Sequence, residues 1–323
     1  MTHESPSDSP APSAYEEAGI GEPRRGTVTR FFLLPLLVVG AAVAIFLVFN
    51  LMTFEHRSPA DYLQEVRGGS ANRRWQAAFE LSRSIGRVPP GPERVALTAE
   101  TLRIFEGLSA KRREDAAVRR YLVLVLGKLQ GREALPALLS AAKDPDPETR
   151  LYAVWALGMI GDPSALEAVL ESSHSEDAGA RKMAAYVLGR LRDPRAVPRL
   201  RVLLEDSVAD VRWNAAIALA SLGDRAGVEI LRSLLDRQSL ARQATLTADQ
   251  AETAIVGATK GLALLRDRES LPLLERVAKS DPNLRVRSAA REAIEAIRAP
   301  SAATPAPATS GANLERSKLV LVV

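Results

Sequence analysis

Five arginines stand in step along this chain. Arg119, Arg150, Arg181 and Arg212 are each 31 residues apart, and Arg287 belongs to a later, shifted copy. A guanidinium repeated at one structural position makes either an anion-binding stripe or a ladder of internal ion pairs. Asp144, Asp206 and Asp281 stand six residues before Arg150, Arg212 and Arg287, which favours the ladder. Large aromatics also fall in step. Trp75, Leu151 and Trp213 follow the arginine position, while Trp155 and Tyr186 share another. Trp, Tyr and Arg are the usual anchors of protein interfaces. The other reading is that these rings fill gaps in an alanine-rich core.

Catalytic chemistry finds little to work with. The 323 residues include no cysteine, so disulfides, thiolate nucleophiles and cysteine-ligated metals are excluded. The histidines are His3, His56 and His174, too scattered for a multi-histidine centre. No phosphate-binding or nucleophile-elbow glycine motif occurs. We therefore expect no catalytic residue, no cofactor and no metal. With 43 Lys+Arg against 39 Asp+Glu the net charge is +4, and aromatics are 5%, so a nucleic-acid partner is not expected.

The elements that carry these residues repeat with the same step. The turn Gly161-Asp162-Pro163 recurs as Arg192-Asp193-Pro194 and Gly223-Asp224-Arg225, preceded by Ala156-Leu157-Gly158, Val187-Leu188-Gly189 and Ala218-Leu219-Ala220. Stepping back gives Arg119, Leu126-Gly127 and Gly131. Thr149, Ala153, Ala156, Leu157 and Ile160 form one helical stripe, and Leu135/Leu138/Leu139 head a shorter first helix. The Asp-Pro pairs read as helix starts, with Asp as N-cap and Pro at the first position. Each unit is thus a helical hairpin that buries its apolar face only against neighbours. The fold class is all-α, a right-handed α-solenoid of about seven helix pairs over residues 57–299. Arg291, Glu292 and Glu295 suit a last helix that faces water. One step is 43 instead of 31, with the excess around residues 236–250 and Ile255 at the arginine position. Such an insertion is either a binding loop or a tolerated surface loop.

Residues 31–54, FFLLPLLVVGAAVAIFLVFNLMTF, carry no charge. As a helix they would measure ~36 Å, enough to cross a bilayer core of ~30 Å. A single uncleaved transmembrane helix is expected here, after a disordered tail at 1–30. Arg24, Arg25 and Arg30 before the run, against Arg57 and Arg67 after it, predict a cytoplasmic N-terminus. The solenoid would then lie on the periplasmic or extracellular side. Residues 300–323 begin as a Pro/Ala-rich linker and end in Lys318-Leu319-Val320-Leu321-Val322-Val323. Val323 could be captured as the end of an added strand, serve as a protease-read tail, or contact the solenoid.

The string DPDPETRLYAVWALGMIGDPSALEAVLESS resembles HEAT repeats, in the short form found in phycobilisome bilin lyases. The match rests on the Asp-Pro opening, Arg150, Ala153, Ala156-Leu157-Gly158 and Gly161-Asp162-Pro163, and is clear over about residues 114–298. The resemblance implies a scaffold that presents a surface of second helices to a protein partner. We expect a non-enzymatic, membrane-anchored interaction scaffold, with Arg150, Arg181, Arg212, Trp155, Tyr186, Trp213 and Val323 as candidate partner-binding residues. A bilin-lyase-like small-ligand handler and a nucleic-acid-binding HEAT protein are the alternatives. Deoxyhypusine hydroxylase, a HEAT-repeat enzyme, binds iron through paired His-Glu motifs; only His3-Glu4 matches that pattern.

Overall fold

The computed structural model describes residues 33–53, 57–241 and 246–300. The tail at 1–30, the outer ends of the apolar run, residues 242–245 of the insertion and the terminal stretch with Val323 lie outside the described residues. The described residues form helices and turns without a strand. The chain divides into two compact units, Met1–Arg57 and Ser58–Val323.

The first unit contains α1, Leu34–Thr53, a 20-residue helix with no charged group. Its leucine, valine, isoleucine and phenylalanine side chains from Leu36 to Val48 are all exposed. Side chains are described only for a stretch within this helix, and among the described residues no helix is long and apolar enough to cross a membrane.

Among the described residues, the second unit is a repeat solenoid of seven helical pairs and one extra short helix. The pairs are α2 (Pro59–Gly68) with α3 (Ala71–Ser84), α4 (Pro92–Glu106) with α5 (Arg113–Leu129), and α6 (Leu135–Ala141) with α7 (Pro147–Ile160). Next come α8 (Leu166–Ser172) with α9 (Ala178–Leu191) and α10 (Val197–Leu203) with α11 (Ala209–Ser221). Helix α12 (Val228–Ser233) precedes the extra α13 (Arg237–Ala241) and pairs with α14 (Ala248–Leu264), and α15 (Leu271–Ser280) with α16 (Leu284–Arg298) ends the array.

Three Asp-Pro pairs start helical turns as expected, though only one of them opens an α-helix directly. Asp162 and Asp193 do cap a helical turn, accepting from the Ser164 and Arg195 amides, but the turns they open, Pro163–Ala165 and Pro194–Ala196, are 3-10. The α-helix begins only at the next residue. Asp144 likewise accepts from the Asp146 amide at 2.9 Å but starts no helix; Asp146, with Pro147 after it, is the N-cap of α7 and accepts from the Thr149 amide. In the last unit Asn283, not Asp281, caps α16. At the other end of the second helices a left-handed residue recurs, at Gln130, Gly161, Arg192, Gly223 and Arg266. The expected Gly131 is displaced by one residue from this position and has an ordinary φ of −71°. The turn geometry is imposed by the repeat even where a side chain makes it costly by about 1–2 kcal/mol.

Successive second helices α5, α7, α9 and α11 pack closely on one another, whereas the first helices α6, α8 and α10 make no comparable contact. Small residues permit that approach. Ala153, Ala184 and Ala215 are fully buried, and a Cβ on Gly158 would lie 2.7 Å from a Val187 methyl. The core divides at α11, where Ala215, Ala218 and Leu219 join the N-terminal cluster, while Trp213, Ala216, Ile217 and Ala220 join the C-terminal one. Arg291, Glu292 and Glu295 of α16 are exposed, as a terminal helix requires.

Candidate interaction surface

Two of the five in-step arginines, Arg119 and Arg181, form ion-pair rungs, with aspartates one repeat further on than their spacing suggests. Arg119 donates from Nε and Nη2 to Asp144 Oδ2 at 2.9 and 2.6 Å. Arg181 makes a two-point pair with Asp206, 2.7 Å from Nε to Oδ2 and 3.0 Å from Nη2 to Oδ1. The aspartate six residues before each arginine instead offers its backbone carbonyl. Arg150 Nη1 donates to the Asp144 and Pro145 carbonyls at 2.7 and 3.0 Å, and Arg212 Nη1 to those of Asp206 and Ser207 at 2.6 and 3.1 Å. Each aspartate therefore joins two repeats, through its carboxylate backwards and its carbonyl forwards. Its carboxyl is acidified accordingly: Arg181, and then the Val208 amide, hold Asp206 below the usual carboxylate range against the opposing effect of burial.

A position that sequence spacing missed adds a rung to this ladder. Ile255 is buried where an arginine is due, and Arg237 of α13 reaches the same aspartate position, donating from Nε and Nη2 to Asp281 at 2.8 and 2.9 Å. The insertion supplies a structural arginine. Its signal was present only as an arginine next to Asp236 in a segment with no repeat counterpart.

Of the candidate aromatics, Trp213 is 5% exposed and belongs to the core, so it has no surface to offer a partner. The gap-filling reading holds for it, because its helix is buried on several faces. Trp155 and Tyr186 are half-buried, leaning on the N-terminal core with part of each ring open. They are not alone. Tyr121, Tyr152 and Met183, three residues earlier on α5, α7 and α9, are half-buried in the same way, as is Leu124 beside them. Because the step is 31, these six side chains form two adjacent columns across three packed helices. Burial is the main cause that raises the Tyr152 hydroxyl above its ordinary value, with Glu148 and Tyr121 contributing. Tyr121 and Tyr152 repeat at the 31-residue step, with Met183 next in the column, a signal that the search for residues following the arginine passed over. Arg190 lies over the Tyr186 ring, 6.0 Å from its centroid.

Among the described residues no group of histidines and carboxylates is placed to hold a metal ion. His174 is exposed in the turn between α8 and α9. Two open grooves of about 550 Å³ each lie between repeats, one lined by Lys143, Arg150, Leu151, Ala168, Glu171 and Ser175 among others, the second by Arg232, Arg237, Leu273, Arg276 and Asp281 among others.

The family model of HEAT repeats matches residues 106–185 and 170–249, the stretch that holds these ladders and columns. Residues 106–249 carry HEAT repeats. No curated protein matches the chain. Among solved structures, the complex of CpcE and CpcF of phycocyanin lyase from Nostoc sp. PCC7120 is similar at 18% identity, with 76% of this chain and 96% of that chain covered and a TM-score of 0.52. A designed armadillo repeat protein aligns at 15% identity over 75% of this chain and 100% of that one, at a TM-score of 0.34. Human deoxyhypusine hydroxylase aligns at 19% identity over 74% and 95%, at a TM-score of 0.29. The likeness to the lyase complex is one of fold: stacked HEAT hairpins whose surface residues are free to diverge.

Proposed function

We propose that this protein is a non-enzymatic interaction scaffold, anchored to the cell membrane by the apolar run 31–54 and binding a protein partner on its HEAT repeats. One observation carries the binding reading: Tyr121, Leu124, Tyr152, Trp155, Met183 and Tyr186 sit half-buried, side by side, on α5, α7 and α9. Aromatic and methionine side chains held partly open on a rigid backbone are what protein interfaces select, since ordering them on binding costs little entropy. Arg150 and Arg212 stay in the proposal as flanking donors, while the carboxylate-facing nitrogens of Arg181 are engaged by Asp206.

The anchor reading rests on the uncharged run and on the all-round exposure of the apolar side chains of α1, which in water would be unfavourable by roughly 25 cal/mol for each Å². Three arginines before the run, against two after it, support a cytoplasmic N-terminus with the solenoid on the other side. The test is a pull-down from detergent extracts with the tagged full chain. A stoichiometric protein lost on Tyr152→Ala with Trp155→Ala supports the scaffold, and retention by that variant refutes the proposed surface. A purified chain carrying a coloured tetrapyrrole would refute the scaffold in favour of ligand handling. Removing residues 31–54 should release the protein from membranes into the soluble fraction.

A further inference from the structure

The polar ladder that crosses the HEAT repeats lacks a rung at the seam between the α6/α7 and α8/α9 hairpins. At the seam before it Arg119 meets Asp144, and at the seam after it Arg181 meets Asp206. Between them, the position 31 residues from both aspartates is Ser175, so Arg150 has no carboxylate opposite. A second, parallel set of rungs fails at the same place. Arg120 pairs with Glu148 and Lys182 with Asp210, each 28 residues on, but the intervening residue is Leu151. An open groove of about 550 Å³ lies at this seam, with Arg150, Leu151, Ala168, Ser172 and Ser175 in its wall.

We propose that this groove binds a carboxylate side chain of the partner protein, an aspartate or glutamate within an extended segment of small apolar residues. Arg150 is prepared for it. Its Nη1 is held by two carbonyls, as the same atom is in Arg181, where Nε and Nη2 then take a carboxylate by two points. In Arg150 those two nitrogens have no partner among the described residues. None of the acidic groups of the groove pairs with Arg150: Glu148 meets Arg120, Glu171 meets Lys143 at 3.4 Å, and Asp177 caps α9 by accepting from the Ala180 amide at 2.7 Å. The Arg150 fork thus stays open, and the partner's carboxylate stands where the missing aspartate would. The same three acidic neighbours disfavour a doubly charged phosphate. Leu151, Ala142, Ala168 and Ala180 provide an apolar floor for short flanking side chains.

This inference rests on the scaffold reading and adds the chemistry of what is recognised. It is tested with the full chain in detergent and two fluorescent capped pentapeptides, Ala-Val-Asp-Ala-Val and its asparagine counterpart, by anisotropy. The aspartate peptide should bind about tenfold or more tighter than the asparagine one, as expected for a charge-assisted two-point contact. Arg150→Gln should abolish that preference. Ser175→Asp supplies the absent rung from within the chain, so it should abolish binding while raising the melting temperature, a result that a misfolded variant would not give. Equal affinity for both peptides, unchanged binding to Ser175→Asp, or displacement by inorganic phosphate at lower concentration than by acetate would each overturn the proposal. Capture of a partner that survives Arg150→Gln but is lost on Tyr152→Ala with Trp155→Ala would overturn this site and leave the scaffold standing. Aspartate-peptide binding without any captured protein would do the reverse.

Discussion

Arg237 and Asp281 lie 44 residues apart, yet the arginine meets both carboxylate oxygens, at 2.8 and 2.9 Å. The Asp281 side chain is almost fully buried, 4% exposed, with the arginine at 26%. A buried carboxylate that loses its only two-point partner keeps its desolvation cost. Arg237→Ala should therefore destabilise the C-terminal repeats by about 2–4 kcal/mol in urea unfolding. Arg237→Lys should recover only part of this, because an ammonium cannot match the fork. A loss below half a kcal/mol would mean that α13 is a mere surface insertion.

The ladder also sets a pH dependence. Asp206 titrates below its ordinary range, chiefly through the Arg181 hydrogen bond; in Asp146, Thr149 and Arg120 outweigh the opposing effect of burial. A depressed carboxyl contributes stability that is complete above the unfolded-state value, near 4, and is lost as pH falls through the lower folded value. The melting temperature should hold from pH 7 down to about 5 and fall progressively below 4. Asp206→Asn should be less stable at pH 7 and show a smaller acid-induced loss than the parent chain.

Close approach of the second helices makes small residues irreplaceable. Gly158→Ala places a methyl 2.7 Å from Val187, and Ala184→Leu enlarges a fully buried site in the next helix. Each should cost about 1–3 kcal/mol in thermal unfolding. A Gly161→Ala change tests a different cause, since that glycine has φ of 70° with open space around its Cα. Its cost, about 1 kcal/mol, should come from backbone strain alone.

The three aromatic candidates should separate by readout. Trp213→Ala removes a core side chain and should destabilise by about 3–5 kcal/mol. Trp155→Ala and Tyr186→Ala remove half-open rings, so they should weaken partner capture more than they lower the melting temperature. If Trp155→Ala lost as much stability as Trp213→Ala, the column would be core and the proposed surface would fail.

Much of the solenoid is legible in one dimension. The hairpin unit, its 31-residue step, the buried alanines and glycines and the water-facing last helix all follow from spacing, because a stacked repeat makes its contacts at constant sequence separation. The site is less legible. Asp144 and Asp206 were visible beside their arginines, but spacing alone pairs them within a repeat, while the guanidiniums reach them from the repeat before. Tyr121 and Tyr152 repeat at the 31-residue step and Met183 continues it, so the column could be seen in the sequence; what spacing does not give is that all three stay half-buried at the surface.

From its sequence alone, then, this chain declares an all-α HEAT-type array behind an uncharged helical run, since helical period and repeat step are local properties of residue order. Tertiary structure decided which side chains remain open at the surface and which pair across repeats. Trp155 and Trp213 look equivalent in composition, yet one is half-buried and the other sealed between helices. Arg150 and Arg181 occupy the same repeat position, yet one meets a carboxylate and the other faces a groove. The difference lies in what the neighbouring hairpin brings opposite, a relation set by packing between units and not by any single unit.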